Sequence, residues 1–256
     1  MIFYYTGTGN SLFVARKLLY KNEQLVNIAD ALNKGELVYQ IPMHERVGFV
    51  YPEYCGSVPE TVREFVGRVI LNNVRYVFAV VTCAGVRAMS AQILEDLLRE
   101  RFLPLQYADF VTMPNNALIY GEVQSDEKAA EMIKAAEQKI GVMREALRKH
   151  PIQPADLRFL TKITRRLYPM VNLTKKFYAD ENCIGCGFCA KNCPAKAIEM
   201  QDGMPVWTKA HCDLCMGCIN RCPKQAIQYG KKTKNRRRYV NPILRQKTPD
   251  TDNSEK

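Results

Sequence analysis

Eight cysteines within a 40-residue window constrain this chain more than any other feature. Cys183, Cys186, Cys189 and Cys193 return 29 residues later as Cys212, Cys215, Cys218 and Cys222. Pro194 and Pro223 close the two sets, and Ala197-Ile198 recurs as Ala226-Ile227 at the same offset. A repeat that runs past the cysteines into apolar positions is a duplicated structural unit. The chain has 256 residues and ten cysteines, and only Cys55 and Cys83 lie outside the window. No basic leader or small-residue cleavage site marks the start, so this clustering predicts metal ligation in a reducing compartment rather than disulfides. The longest mainly apolar stretch, 76–86, is too short to cross a bilayer. A soluble, cytoplasmic protein without membrane insertion is expected.

Three thiolates at i, i+3 and i+6 can wrap a loop around one cluster, and the fourth ligand has to arrive from elsewhere in the chain. Structural zinc favours two separated Cys-x-x-Cys pairs, a poorer match to two triplets with two Cys-Pro steps. The spacing resembles that of bacterial-type two-cluster ferredoxins over about residues 177–230. That resemblance implies two [4Fe–4S] clusters with crossed ligands. One takes Cys183, Cys186, Cys189 and Cys222, and the other takes Cys212, Cys215, Cys218 and Cys193. Between the repeats, 197–201 and 204–207 flank Asp202-Gly203, which reads as a hairpin turn.

Residues 1–150 alternate apolar runs with amphipathic stretches. Strands are expected at 1–5, 46–51, 76–82 and 105–113, with a short fifth at 25–28; helices are expected at 11–20, 59–71, 90–101 and 125–149. Alternation of this kind predicts an α/β doubly wound parallel sheet covered by helices on both faces. The first strand runs into Thr6-Gly7-Thr8-Gly9-Asn10-Ser11 and then a helix. Such a turn aims backbone N–H groups and hydroxyls at an anion on the helix N-terminus, and phosphate is the natural ligand. A Walker loop would need Gly-Lys-Ser/Thr, and a dinucleotide fingerprint would need glycine where this chain has Leu12. The pattern Thr6-x-Thr8-Gly9-x-Ser11 resembles the phosphate loop of flavodoxins. The resemblance implies a flavodoxin-like FMN-binding domain in which Thr6, Thr8, Gly9, Asn10 and Ser11 hold the FMN phosphate.

Two more loops should leave the same sheet edge. In the first, which contains Tyr54, Cys55 and Gly56, Tyr54 is a candidate to stack on the flavin ring, with rim packing as the alternative. The second, Thr82-Cys83-Ala84-Gly85, has small residues that let backbone approach the ring; here the chain departs from short flavodoxins, whose loop is acidic and often aromatic. Cys55 and Cys83 have no neighbouring His or Lys and read as small hydrophobes rather than nucleophiles. Asn115 and Asn116 either touch the flavin or form a turn.

Pro151 and Pro154 end the first domain. A linker at 151–176 follows, with an amphipathic helix at about 155–168, then the ferredoxin-like domain at 177–230 and a basic, flexible tail at 231–256. Charge is split accordingly: residues 1–150 carry 17 Lys/Arg and 17 Asp/Glu, the remainder 20 and 9. Part of the excess compensates anionic clusters. The rest suits docking to redox proteins with acidic surfaces, and interleaved aromatics for nucleic acid are missing. The whole chain resembles fusions of a flavodoxin-like domain with a two-cluster ferredoxin, sometimes called EFR1-type ferredoxins. This resemblance implies electron transfer between FMN, two [4Fe–4S] clusters and redox partners. The alternatives are an FMN-dependent reductase of a small substrate fed by the clusters, and an iron–sulfur sensor or nucleic-acid-binding protein. No acid–base or nucleophilic constellation is evident, so no catalytic residue is assigned.

Overall fold

The computed structural model describes residues 1–43, 45–85, 87–153 and 172–244. The expected linker helix, His44 and the last residues of the tail lie outside the described residues. Five strands form the central sheet: β1 (Ile2–Tyr4), β2 (Leu25–Asn27), β4 (Val47–Pro52), β6 (Val77–Cys83) and β7 (Tyr107–Thr112), in the order β2-β1-β4-β6-β7. Every neighbouring pair is parallel. Counting sheet strands alone, this is the 2-1-3-4-5 order of the flavodoxin-like doubly wound fold, whose order reverses beside β1. Two short strands not foreseen from sequence, β3 (Val38–Gln40) and β5 (Ile70–Asn72), pair in parallel outside the main sheet.

Strand alternation sorts side chains to two cores. Phe3, Tyr5, Phe49, Tyr51, Ala79 and Val81 face α2 (Ile28–Lys34), α3 (Glu60–Arg68) and α4 (Ser90–Arg99). Ile2, Val50, Phe78 and Val80 face α1 (Asn10–Leu18) and α5 (Asp126–Leu147). The α2 helix was not foreseen; it starts where Asn27 caps the Ala29 and Asp30 amides and stops at Gly35, φ 72°. Expected helix 59–71 ends at Arg68, because Ile70 begins β5.

The C-terminal unit pairs β8 (Phe177–Ala179) antiparallel with β11 (Ile227–Tyr229), and β9 (Ile198–Gln201) with β10 (Met204–Trp207). Asp202 and Gly203, at φ 48° and 76°, make the expected hairpin turn. Each repeat supplies a short helix, α6 (Phe188–Lys191) and α7 (Gly217–Arg221). This unit does not stand apart from the first: Leu118, Val123 and Ala129 share a core with Phe177, Leu214, Met216, Ile219 and Tyr239. The segment expected to trail freely from residue 231 departs from that expectation as far as Leu244. Tyr239 and Asn241 are buried, and Tyr239 Oη donates to Asn10 Oδ1 at 2.7 Å. No helix among the described residues is long and apolar enough to cross a membrane.

Candidate metal centres and the adjoining cavity

The eight clustered cysteines line two small hollows. Cys183, Cys186, Cys189 and Cys222 surround the first, with Ile184, Phe188, Met200 and Pro205. Cys193, Cys212, Cys215 and Cys218 surround the second, with Phe177, Ile198, Trp207 and Met216. Cys222 thus joins the first triplet and Cys193 the second. We call the first nest outer, because Cys186 is exposed, and the second inner. Backbone amides turn toward the sulfurs: Ala197 N lies 3.3 Å from Cys193 Sγ, Ala226 N 3.3 Å from Cys222 Sγ and Leu214 N 3.4 Å from Cys212 Sγ. Burial pushes the Cys212 thiol up to about 12 and raises the Cys215 and Cys218 thiols well above the usual range too, with neighbouring thiolates adding to the effect. Bare thiolates are disfavoured in the inner nest. Iron, by supplying positive charge, is what makes deprotonation favourable there, so the donor set fits a cluster.

The loops that carry the ligands need left-handed turns. The outer loop uses Gly185 and Gly187, at φ 67° and 70°; the inner loop uses Leu214 and Met216, at φ 50° and 56°. Those two side chains are buried against the first unit. Between them and Cys212 lies Asp213, 1% exposed, whose carboxylate accepts from Tyr5 Oη at 2.5 Å, Thr61 Oγ1 at 2.5 Å and Thr61 N at 3.2 Å. A carboxyl group this deep is tolerated only when its lone pairs are filled. Asn116 Nδ2 donates to Cys215 O at 3.2 Å and to Thr8 Oγ1 at 3.0 Å. Asn220 Nδ2 donates to Asn116 O at 3.0 Å, so the inner loop is tied to the Thr6–Ser11 turn through one asparagine pair.

A cavity of about 400 Å³ opens at the carboxyl ends of β1, β4, β6 and β7. Thr6, Thr8, Asn10, Ser11, Tyr54, Thr82 and Cys83 line it, as do Asn115, Asn116 and Leu214. Gly9, Gly56 and Gly85 do not. Gly9, φ 98°, turns the chain into α1 and packs on Asn241 and Leu244, while Gly56 and Gly85, φ 73° and 108°, shape their loops. The α1 N-terminus has no side-chain cap, which leaves its first amides for an anion. Ser11 Oγ lies 2.8 Å from Thr82 Oγ1, and Gly9 N donates to Thr6 Oγ1 at 3.0 Å. Tyr54 is buried, its hydroxyl meeting Asn116 and the Gly7 backbone. Burial also raises the Glu53 carboxyl at the cavity wall, partly offset by the Ser90 and Ala88 amides. Cys55 Sγ sits 3.2 Å from Tyr120 Oη beside the mouth.

Asp213, Leu214, Asn116, Asn220, Tyr239 and Asn241 were not assigned these roles from sequence. The available signal was the mismatch between repeats, Ile184-Gly185 against Asp213-Leu214. Comparison with known proteins adds to this geometry. Residues 182–227 match the family of 4Fe-4S dicluster domains. The PorD subunit of pyruvate synthase from Thermotoga maritima is 43% identical over 54 residues, 21% of this chain and 54% of that protein. A subunit of the ion-translocating oxidoreductase complex of Methanosarcina acetivorans is 36% identical over 53 residues, 21% of this chain and 20% of that protein. The chain thus spans about half of one curated relative and a fifth of the other. Among solved structures, azoreductase from Bacillus anthracis aligns over 56% of this chain and 97% of its own, at 10% identity and a TM-score of 0.34. Residues 182–227 thus form a 4Fe-4S dicluster domain, joined to a parallel sheet of flavodoxin-like order.

Proposed function

We propose that this chain carries electrons between redox partner proteins and FMN, with the two clusters in series. One observation carries the reading: Leu214, flanked by the inner ligands Cys212 and Cys215, is also a wall of the cavity beside the Thr6–Ser11 turn. A ligand in that cavity and a cluster in the inner nest would be separated by little more than one side chain. FMN, when bound, supplies the exchange of one or two electrons that converts between single-electron carriers and pair-transfer chemistry. Thr6, Thr8 and Ser11 hydroxyls with the α1 amides would hold its phosphate, and the helix dipole favours that charge. Pro52, Met113, Ala84 and Cys83 offer apolar wall for a planar ring. Asn116 fixes the distance between the turn and the inner loop.

The outer nest is the port for partners. Cys186 is exposed there, Ile184 is 60% exposed, and Lys224 lines the same hollow. An apolar contact with a lysine beside it suits a partner with an acidic docking surface. The test replaces donors in the turn by carboxylates. Thr8→Asp and Ser11→Asp are expected to weaken FMN binding at least a hundredfold, about 2.7 kcal/mol, in fluorescence-quenching titrations, while cluster absorbance persists. Unmodified protein should also prefer FMN over riboflavin, which lacks the phosphate. Equal affinity for the two flavins, or undiminished FMN binding by the Asp variants, overturns the phosphate-loop assignment.

A further inference from the structure

The segment after the second repeat folds back against the turn that opens α1. Asn241 N donates to Thr8 O at 2.8 Å. Asn10 Oδ1 accepts from Tyr239 Oη at 2.7 Å and from Asn241 Nδ2 at 3.2 Å, while Asn10 Nδ2 donates to Pro114 O at 2.9 Å. Tyr239 is anchored in turn, its N–H donating to Asn220 Oδ1 at 2.9 Å. These bonds fix the direction of the turn's backbone. In a trans peptide the C=O and N–H point opposite ways, so a Thr8 carbonyl held by Asn241 sends the Gly9 N–H away from it, to Thr6 Oγ1 at 3.0 Å. Gly9, φ 98°, has no Cβ to oppose rotation of that peptide. The restraint is external: Leu244 Cγ and Asn241 Cβ lie 2.9 and 3.0 Å from where a Gly9 Cβ would sit. Asn10 is restrained in the same way. A free asparagine oxygen beside a helix start competes for the backbone N–H groups there. Tyr239 and Asn241 fill that oxygen, which leaves the first amides of α1 for a ligand.

We propose that Tyr239 and Asn241 are positioning residues of the anion site at the Thr6–Ser11 turn. They hold the Thr8–Gly9 peptide and Asn10 in the form that receives a flavin phosphate, and so set the preference for FMN over riboflavin. The role rests on the phosphate-loop reading and is confined to the phosphate end of the cavity, because neither residue lines the cavity itself. Coupling runs in both directions: a segment that favours the phosphate-ready turn is held more firmly, by the same factor, when phosphate is bound. The anchor Asn220 lies in α7 with the inner ligand Cys218, so the iron–sulfur unit braces the turn through Tyr239.

The test titrates the full chain with FMN and with riboflavin by fluorescence quenching, with cluster absorbance recorded on each sample. Tyr239→Phe combined with Asn241→Ala takes both donors from Asn10 Oδ1, and is expected to weaken FMN binding about tenfold while riboflavin binding changes by less than about twofold. Tyr239→Phe alone should lose less, because Asn241 still donates to Asn10. A role in packing alone would weaken both flavins alike. Unmodified protein supplies a readout that does not depend on any variant folding: hydrogen exchange at the Asn241 amide, bonded to Thr8 O, should slow about tenfold with saturating FMN and stay unchanged with riboflavin. Equal losses for the two flavins in the double variant, an undiminished preference for FMN in it, or an Asn241 amide indifferent to FMN overturns the proposal. Equal affinity of the unmodified protein for the two flavins would instead sink the phosphate-loop reading, and this role with it.

Discussion

Gly7→Ala tests whether the inner cysteine loop sits where its function needs it. Gly7 carries no side chain, and the inner loop uses that space. A Cβ added there would overlap the Cys215 carbonyl oxygen and come within 2.8 Å of Cys215 Cβ and 3.0 Å of its carbonyl carbon. Carbon atoms pack at about 3.5–4.0 Å, so the loop must withdraw by roughly 1 Å. The obstacle is backbone, with no flexible side chain to swing away. Overpacking of this kind typically costs about 1–3 kcal/mol. The same retreat stretches the Asn116 bond to Cys215 O and the bonds from Tyr5 and Thr61 to Asp213, each worth about 1 kcal/mol net. We expect a total of about 3–4 kcal/mol, falling on the docking of the two units rather than on either core. In equilibrium terms that is a hundredfold to a thousandfold increase in undocked protein. Hydrogen exchange on anaerobic protein should show this as faster exchange confined to residues 5–12 and 212–220, with iron retained. Gly67→Ala is the control: Gly67 lies in α3 with nothing near an added Cβ, and the change should stabilise by up to about 1 kcal/mol. Exchange in Gly7→Ala identical to that of unmodified protein would show that the loop is not docked on this turn.

Iron and sulfide analysis should give about eight of each per chain, with Cys193→Ala depleting the inner cluster and Cys222→Ala the outer. Loss confined to the local triplet in either variant would refute the crossed pairing. Asp213→Asn turns an amide NH₂ toward donors on Tyr5 and Thr61, and should cost about 2–3 kcal/mol, read as a thermal midpoint lower by roughly 5–10 °C. An unchanged midpoint would mean that the carboxylate does not hold the units together. Tyr239→Phe removes the bond to Asn10 Oδ1, while Asn241 still donates to that oxygen at 3.2 Å. A loss of about 1 kcal/mol is expected in denaturant titrations, and no loss would show that the C-terminal segment adds little to the docked state.

The sheet was legible because buried parallel strands read as apolar runs, as Val47–Pro52 and Val77–Cys83 do. The β3–β5 pair escaped because it is short and half-exposed, with Val38 at 63% and Ile70 at 49%, so neither alternation nor a continuous run marks it. The grouping of the cysteines was expected from the resemblance of their spacing to that of bacterial-type two-cluster ferredoxins. What could not be read was the seam between the units. Asp213 meets Thr61 and Tyr5 across 152 and 208 residues of chain, and no local pattern encodes such a contact. Tyr239 and Asn241 sit among arginines that read as a solvated tail, and their burial depends on a partner surface some 230 residues away.

The duplicated unit nonetheless records which repeat faces inward. At the two left-handed positions of the ligand loop, the outer repeat keeps Gly185 and Gly187, which take that backbone without strain. The inner repeat has Leu214 and Met216, each at a cost of roughly 1–2 kcal/mol. Burying a leucine or methionine side chain returns about 1.5–3 kcal/mol, so the exchange is favourable only where apolar surface awaits it. That surface is the core shared with Leu118 and Val123. The neighbouring position inverts the usual polarity for the same reason. Ile184 lies 60% exposed on the outer loop, while its counterpart Asp213 is buried on the inner one, where Tyr5 and Thr61 supply donors. Substitutions that would be unfavourable on a free ferredoxin loop become stabilising once the loop is docked. They therefore place the inner nest against the cavity and leave the outer nest, with its glycines and its exposed isoleucine, facing away from the first unit.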